Sequence, residues 1–163
     1  MTSSSQDAGS VVSGIIRPTE PGAEIRRLDV FIGRWITEGH VLDEAGEPAL
    51  GIVASDVYEW APGGFFLIHP AYGRIGDVGG GGVEVIGYDP STQRYWSQFF
   101  DSQGNASTSE LRLEGEHWIW QRDDTRCTAE FSADGKTQTA HHERRNEDGS
   151  WVPSMEVVLT RVE

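Results

Sequence analysis

The chain has 163 residues, a formal charge of −13 at pH 7 and an isoelectric point near 4.7. This length suits one domain with a sizeable core, and no apolar run approaches the roughly 20 residues that a membrane helix needs. Because the acidic charge repels phosphate backbones and anionic lipid surfaces, we expect neither nucleic acid nor a membrane as a partner.

The first 22 residues are polar and rich in serine, and they end in Pro18-Thr-Glu-Pro21-Gly22. They predict a flexible N-terminal arm, followed by one domain over residues 23–163. The arm has no basic segment followed by an apolar core, so no secretion signal is predicted. Cys127 is the single cysteine, which fits a reducing compartment. We therefore expect a cytoplasmic protein, and a homodimer is left open.

A short helix is predicted just before the first strand. From Ala23 to Ile32 the apolar positions Ile25, Leu28, Phe31 and Ile32 recur at spacings of three and four residues, which gives one apolar helical face. Gly33 is suited to end that helix. The first strand then begins at Gly33-Arg34-Trp35.

The rest of the chain alternates short extended runs with clusters of glycine, proline, asparagine and aspartate, the pattern of an antiparallel all-β domain. Nine such breaks predict roughly ten strands, and that many twisted strands joined by hairpins favour closure into an up-and-down β-barrel, since closure removes exposed edges. The breaks fall at 43–48, 62–64, 76–82, 89–91, 101–105, 114–116, 122–125, 133–136 and 146–150.

Alternation along the strands predicts which side chains point inward. Leu111 and Leu113 share one face of their strand, and Cys127, Ala129 and Phe131 share one face of theirs. In the last strand Trp151, Met155, Val157, Leu159 and Arg161 share a face, which puts Arg161 on the interior side. The segment from Phe65 to Tyr72 is apolar on both faces, so the orientation of His69 does not follow from the period.

Several motifs occur together in the chain: the segment Leu28 to Trp35, Gly87-Tyr-Asp-Pro90, Tyr95, Phe100-Asp-Ser-Gln-Gly104 and Leu159-Thr-Arg161. Together they resemble a family of bacterial lipocalin-like (calycin) domains of unassigned function. The resemblance implies a barrel with an internal small-molecule cavity. It also implies structural roles for Gly33, for Trp35 as a plug of the barrel floor, and for Arg161 stacked over that tryptophan.

A more distant resemblance is to nitrobindins, which hold haem through a histidine late in the chain. The segment from Trp151 to Val162 contains no histidine, so an axial ligand would have to be His69, His141 or His142. We therefore predict no haem and no other cofactor. His141 and Glu143 share a strand face, but two ligands do not make a metal site, and none is predicted.

Binding of a small, mostly apolar or aromatic molecule in the barrel is the leading functional hypothesis, because the chain is rich in aromatic residues that could form a cavity wall. Trp118 and Trp120 share a face with Arg122, which would suit an anionic or aromatic ligand, although this face could also be the outside of the barrel. The candidate ligand-binding residues are Trp35, His69, Tyr88, Trp96, Phe99, Trp118, Trp120, Arg122 and Met155.

An enzyme of the isomerase or cyclase type, using the same cavity, is the alternative hypothesis. His69 would act as its acid or base, oriented by Tyr72, Tyr58 or Glu59. The run Gly79–Gly82 lacks the following Lys-Ser/Thr of a phosphate loop. It predicts a mobile hairpin at the cavity mouth.

Overall fold

The computed structural model of the chain describes residues 20–162, so the predicted N-terminal arm lies outside the described residues except for positions 20–22. A helical turn α1 (Ala23–Arg26) and a 3₁₀ turn (Arg27–Phe31) precede ten strands. The strands are β1 (Gly33–Leu42), β2 (Pro48–Trp60), β3 (Leu67–Ile75), β4 (Val78–Asp89), β5 (Arg94–Asp101), β6 (Ala106–Glu114), β7 (His117–Gln121), β8 (Thr125–Phe131), β9 (Thr137–Arg145) and β10 (Trp151–Val162).

All ten strands form one closed antiparallel barrel with up-and-down connections. Each strand pairs with its neighbours in sequence, and β1 pairs with β10 to close the ring, with Arg34 opposite Val162. The predicted fold class, a single barrel of roughly ten strands preceded by a short helix, is confirmed.

The predicted helix is present as two different turns. Ile25, Leu28 and Phe31 are all buried, and their spacing of three residues is the repeat of a 3₁₀ helix, in which side chains three apart lie above one another. The Phe31 ring contacts Tyr58 and Trp118, with centroid distances of 5.4 and 5.5 Å. The two turns therefore seal one end of the barrel, which we call the floor. None of the helices within residues 20–162 has the length and apolar character that a membrane crossing requires.

Trp35 and Arg161 join the two ends of the chain at this floor. Trp35 is fully buried and its Nε1 donates to the Phe31 carbonyl at 2.8 Å. The guanidinium carbon of Arg161 lies 4.2 Å from the centre of the Trp35 ring, and its Nη2 donates to the Val30 carbonyl at 2.9 Å. A Cβ at Gly33, where φ is +136°, would lie 2.7 Å from the Arg161 Nη1. Gly33 therefore leaves space for this guanidinium, and Trp35 and Arg161 close the barrel at its floor.

The glycine run differs from the prediction of a mobile hairpin. Gly79–Gly82 belong to β4 and pair in regular register with β3, so the turn between these strands is only Gly76-Asp77. The glycines permit close packing of the barrel wall: a Cβ at Gly81 would lie 2.1 Å from the Ala71 carbonyl oxygen. The predicted break at 76–82 is therefore five residues too long, because glycine serves here as a strand residue.

Candidate functional site

The barrel contains a cavity of about 880 Å³. Its open end lies opposite the floor, where the hairpins β3–β4, β5–β6 and β7–β8 contribute Ile75, Val78, Ser102 and Arg122 to the mouth. The wall is mostly apolar and comes from inward-facing positions of the strands. The cavity therefore runs from solvent down to the sealed end of the barrel.

Three ionisable side chains meet at the inner end of this cavity: Asp56 on β2, His69 on β3 and Glu84 on β4. His69 Nε2 lies 2.8 Å from Asp56 Oδ1, and His69 Nδ1 lies 2.8 Å from Glu84 Oε2. All three residues are buried. We call this group the His69 cluster, and it occupies both ring nitrogens of the histidine.

Further donors hold the two carboxylates in place. Thr37 donates its hydroxyl to Asp56 Oδ2, and Ser97 donates its hydroxyl to Glu84 Oε1. Trp120 Nε1 donates to the same Glu84 oxygen at 2.7 Å. Each of the four carboxylate oxygens therefore accepts at least one hydrogen bond, which is the condition under which buried carboxylates are tolerated.

The charge of His69 follows from these contacts. Burial alone would lower the pKa of His69, but the hydrogen bonds and negative charges of Asp56 and Glu84 raise it to about 9. The ring is therefore an imidazolium at neutral pH, and the His69 cluster carries a net charge of −1. The Tyr58 ring stacks on the imidazolium with a centroid distance of 3.7 Å and an interplanar angle of 12°. Burial, followed by the charges of Glu84 and Asp56, raises the pKa of Tyr58 well above 10, so its hydroxyl is neutral.

A second polar pair lies in another part of the wall, on β8 and β9. Cys127 Sγ is 3.5 Å from His142 Nε2, and both residues line the cavity. Burial, with a smaller effect of Glu84, raises the pKa of Cys127 to about 12. Burial, with a smaller effect of His141, lowers the pKa of His142 to about 4. At neutral pH this pair is a thiol beside an uncharged imidazole.

Five of the nine candidate ligand-binding residues line the cavity. Trp120 and His69 lie at its inner end, where both form hydrogen bonds with Glu84. Arg122 lies at its mouth. The five are His69, Phe99, Trp120, Arg122 and Met155.

The other four candidates lie away from the cavity. Trp35 and Trp118 are buried in the floor, where Trp118 packs on Phe31. Tyr88 packs on Tyr95 beneath the cavity, with a ring-centroid distance of 4.8 Å. Trp96 is on the outside of the barrel, because its neighbours Tyr95 and Ser97 point inward. These side chains pack the barrel rather than form the cavity wall.

The predicted partners of His69 are also placed differently. Tyr58 contacts His69 by stacking. Tyr72 is 69% exposed at the rim, because it lies three positions from His69 on the strand and so points to the opposite face. Glu59 is exposed on the outer face of β2, because it directly follows the inward-facing Tyr58. Tyr72 and Glu59 therefore do not orient the histidine.

Sequence reasoning missed Asp56 and Glu84, the residues that define the cluster. Each was detectable as a carboxylate at an inward-facing position of its strand. Asp56 shares its strand face with Ile52 and Tyr58, and Glu84 shares its strand face with Ile86.

Neighbouring His141 and His142 point to opposite faces, with His141 exposed and 3.5 Å from Glu156. Within residues 20–162 no group of three or more metal-ligating side chains is placed to hold an ion.

The fold and the cavity define the chain as a closed ten-stranded antiparallel barrel with an internal polar cluster. The chain belongs to the family described as "Protein of unknown function (DUF1579)", which matches residues 20–161. No curated protein shows a match to the chain.

Two solved structures are similar to the chain. The crystal structure of Rv2717c from M. tuberculosis is similar with a TM-score of 0.59 and 12% identity, over 87% of this chain and 99% of that one. A de novo designed fluorescence-activating β-barrel is similar with a TM-score of 0.41 and 12% identity, over 82% of this chain and 95% of the designed one. At this level of identity the similarity to Rv2717c shows the fold alone.

Proposed function

We propose that this protein is a lipocalin-like (calycin) barrel that binds a small, mostly apolar or aromatic molecule in its cavity. The observation that carries the proposal is the open cavity of about 880 Å³. Small-molecule sites are typically concave, mostly apolar and about 300–1,000 Å³ in volume, with a few polar groups that fix orientation. The cavity has each of these properties, and the His69 cluster supplies the polar groups.

The residues that line the cavity favour a flat molecule. Part of its wall, on β2, β3 and β4, consists of the small residues Ala54, Ala71, Gly73 and Gly80. Elsewhere the wall carries large, polarisable side chains, including Trp120 and Met155. Aromatic faces and thioethers pack well on planar apolar groups.

Filling the cavity at Gly80 tests the proposal. A Cβ at Gly80 would have Ser102 Oγ as its nearest neighbour at 3.4 Å, so a larger side chain is tolerated there and extends into the cavity. We expect Gly80→Leu to weaken binding of the neutral fluorescent probe N-phenyl-1-naphthylamine by at least about tenfold, or 1.4 kcal/mol. Its midpoint of urea unfolding should stay close to that of the wild type.

Gly79→Leu is the matched control. Gly79 is the next residue on β4 and points outward, where a Cβ would lie 3.5 Å from the Tyr72 hydroxyl. This variant should bind the probe as the wild type does. The proposal fails if the wild type binds no apolar probe, or if Gly80→Leu and Gly79→Leu bind equally well.

A proton-transfer enzyme of the isomerase or cyclase type is the second candidate. It is favoured by the buried titratable cluster at the end of an apolar cavity, an arrangement common in active sites. Because both ring nitrogens of His69 are occupied, the atoms free to accept a proton are carboxylate oxygens of Asp56 or Glu84. His69 would then position the base.

Native mass spectrometry of the purified protein, followed by incubation of any retained molecule in D₂O, tests this candidate. Deuterium should enter carbon positions of that molecule with the wild type and not with Glu84→Gln or Asp56→Asn. Equal incorporation with the wild type and with both variants would exclude a carboxylate base at this cluster.

A further inference from the structure

We propose that the cavity selects molecules that present a hydrogen-bond donor, above all an ammonium group, to the His69 cluster, and that it discriminates against carboxylates. This inference rests on the proposed function, because it specifies the chemistry of a ligand in the same cavity. It is carried by the donors, the charge and the burial of the groups at the inner end.

The donors of His69 and of the side chains bonded to Asp56 and Glu84 are directed into the cluster itself. His69 gives both N–H groups to carboxylates, and Thr37 and Ser97 give their hydroxyls to Asp56 and Glu84. Trp120 gives its indole N–H to Glu84. A carboxylate oxygen has two lone pairs, so the cluster retains acceptor capacity after these bonds are made. The group facing a ligand is therefore mainly an acceptor.

The cluster is negative and only slightly accessible. One imidazolium between two carboxylates leaves a charge of −1, and the exposed fraction of the three side chains is between 10% and 11%. At such a site the effective dielectric is low and salt screening is weak, so charge acts more strongly than at the surface. A ligand cation is attracted there, whereas a ligand carboxylate would be repelled and would lose its hydration.

The positive groups near the mouth do not reverse this preference. Arg74 and Arg122 belong to the cavity lining and are exposed, and Arg122 donates its Nε to Thr125 Oγ1 at 3.0 Å. Arg126 donates to both oxygens of Glu143, at 2.7 and 3.0 Å, and is neutralised by that carboxylate. An exposed guanidinium is screened by water and salt. The structure thus favours a cationic or neutral donor over the anionic ligand that the Trp120 and Arg122 pattern suggested.

The test compares four probes with the same bicyclic body: 2-methylnaphthalene, 2-naphthalenemethanol, 2-naphthylmethylamine and 2-naphthoate. Each is titrated into the full chain at pH 7, with tryptophan fluorescence as the readout. We expect the ammonium to bind most tightly, followed by the alcohol and the hydrocarbon, with the carboxylate weakest. The ammonium and the carboxylate should differ in Kd by at least about tenfold, or 1.4 kcal/mol.

Two variants locate the origin of the preference. Glu84→Gln removes one buried charge and should reduce the ratio of ammonium to carboxylate affinity at least about fivefold, while the affinity for 2-methylnaphthalene changes by less than about twofold. Glu156→Gln, the matched control on the outer face of β10, should leave the ratio within about twofold. Circular dichroism establishes that each variant is folded. An unchanged ratio in a folded Glu84→Gln variant would overturn the inference.

Salt provides a second test that needs no substitution. The preference should persist when NaCl is raised from about 0.05 to about 0.5 M, because the cluster is buried. If the preference disappears at high salt, it comes from the overall charge of −13 and the inference is wrong. If the hydrocarbon and the alcohol bind but 2-naphthoate binds as tightly as the amine, the inference fails and the proposed function stands. If none of the four probes binds, the proposed function itself fails.

Discussion

Two regions of the cavity wall each contain a buried histidine, and they give it opposite charge states. On β3, the carboxylates of Asp56 and Glu84 raise the pKa of His69 to about 9 although burial opposes this shift. On β9, His142 has a thiol as its hydrogen-bond partner, and burial lowers its pKa to about 4. Burial alone therefore does not decide whether an internal histidine is charged. The partners on the neighbouring strands decide it.

Replacing each histidine with leucine should give the largest difference between the two regions. His69→Leu leaves two carboxylates buried without their shared cation, and breaking a buried ion pair in this way costs about 3–5 kcal/mol. His142→Leu replaces an uncharged ring with an apolar group, so we expect a change within about 1 kcal/mol. Urea unfolding at pH 7 measures both. Equal losses of stability would show that the two sites are not electrostatically different.

The pH dependence of stability should separate the two histidines next. The folded-state pKa of His69, about 9, lies above its ordinary value of 6.5. Its contribution is therefore complete below pH 6.5 and is lost as pH rises through 9; at about 1.36 kcal/mol per unit it is on the order of 3 kcal/mol. Urea unfolding between pH 6 and 9 should show this decline in the wild type but not in His69→Leu.

The acid side of the stability profile should report on His142. Its folded-state pKa of about 4 lies below the ordinary 6.5, so the neutral ring favours folding above pH 6.5 and this contribution is lost as pH falls through 4. In His142→Leu the free energy of unfolding should fall less steeply at acidic pH than in the wild type. Its decline at alkaline pH should be the same as in the wild type. A His142→Leu variant whose alkaline slope changes instead would contradict the assignment.

Thiol reactivity should show the smallest effect. The pKa of Cys127 is about 12, so at pH 8 the native protein should react with iodoacetamide far more slowly than the urea-unfolded chain. Because His142 is neutral and does not form an ion pair with the thiolate, His142→Leu should change the native rate by less than about threefold. A much larger fall in rate would indicate a thiolate–imidazolium pair.

Most of the fold could be predicted from sequence because its signals are local. Each of the nine breaks is marked by residues that favour turns, and alternation correctly placed Leu111, Ala129 and Phe131 in the interior. The exception is the run Gly79–Gly82, where glycine provides close strand packing instead of a turn. Composition does not distinguish these two uses of glycine.

The site could be predicted only in part, because it depends on contacts between strands. His69 was identified, but its partners are 13 and 15 residues away in sequence and meet it through the register of β2, β3 and β4. That register is set by hairpin lengths, and the predicted β3–β4 break was too long. The positions of the aromatic side chains were harder to predict, because the packed floor and the cavity wall contain the same residue types.

The seam between β1 and β10 has a consequence for synthesis of the protein. Arg161 donates to the Ile32 carbonyl, 129 residues earlier in the chain. At translation rates of about 5–20 residues per second, the first strand waits on the order of 10 s for its last partner. During that interval one edge of β1 has no mate from its own chain and is open to pairing with other extended segments. Barrel closure is therefore a late event, and the nascent chain is most exposed to misassembly just before the final strand leaves the ribosome.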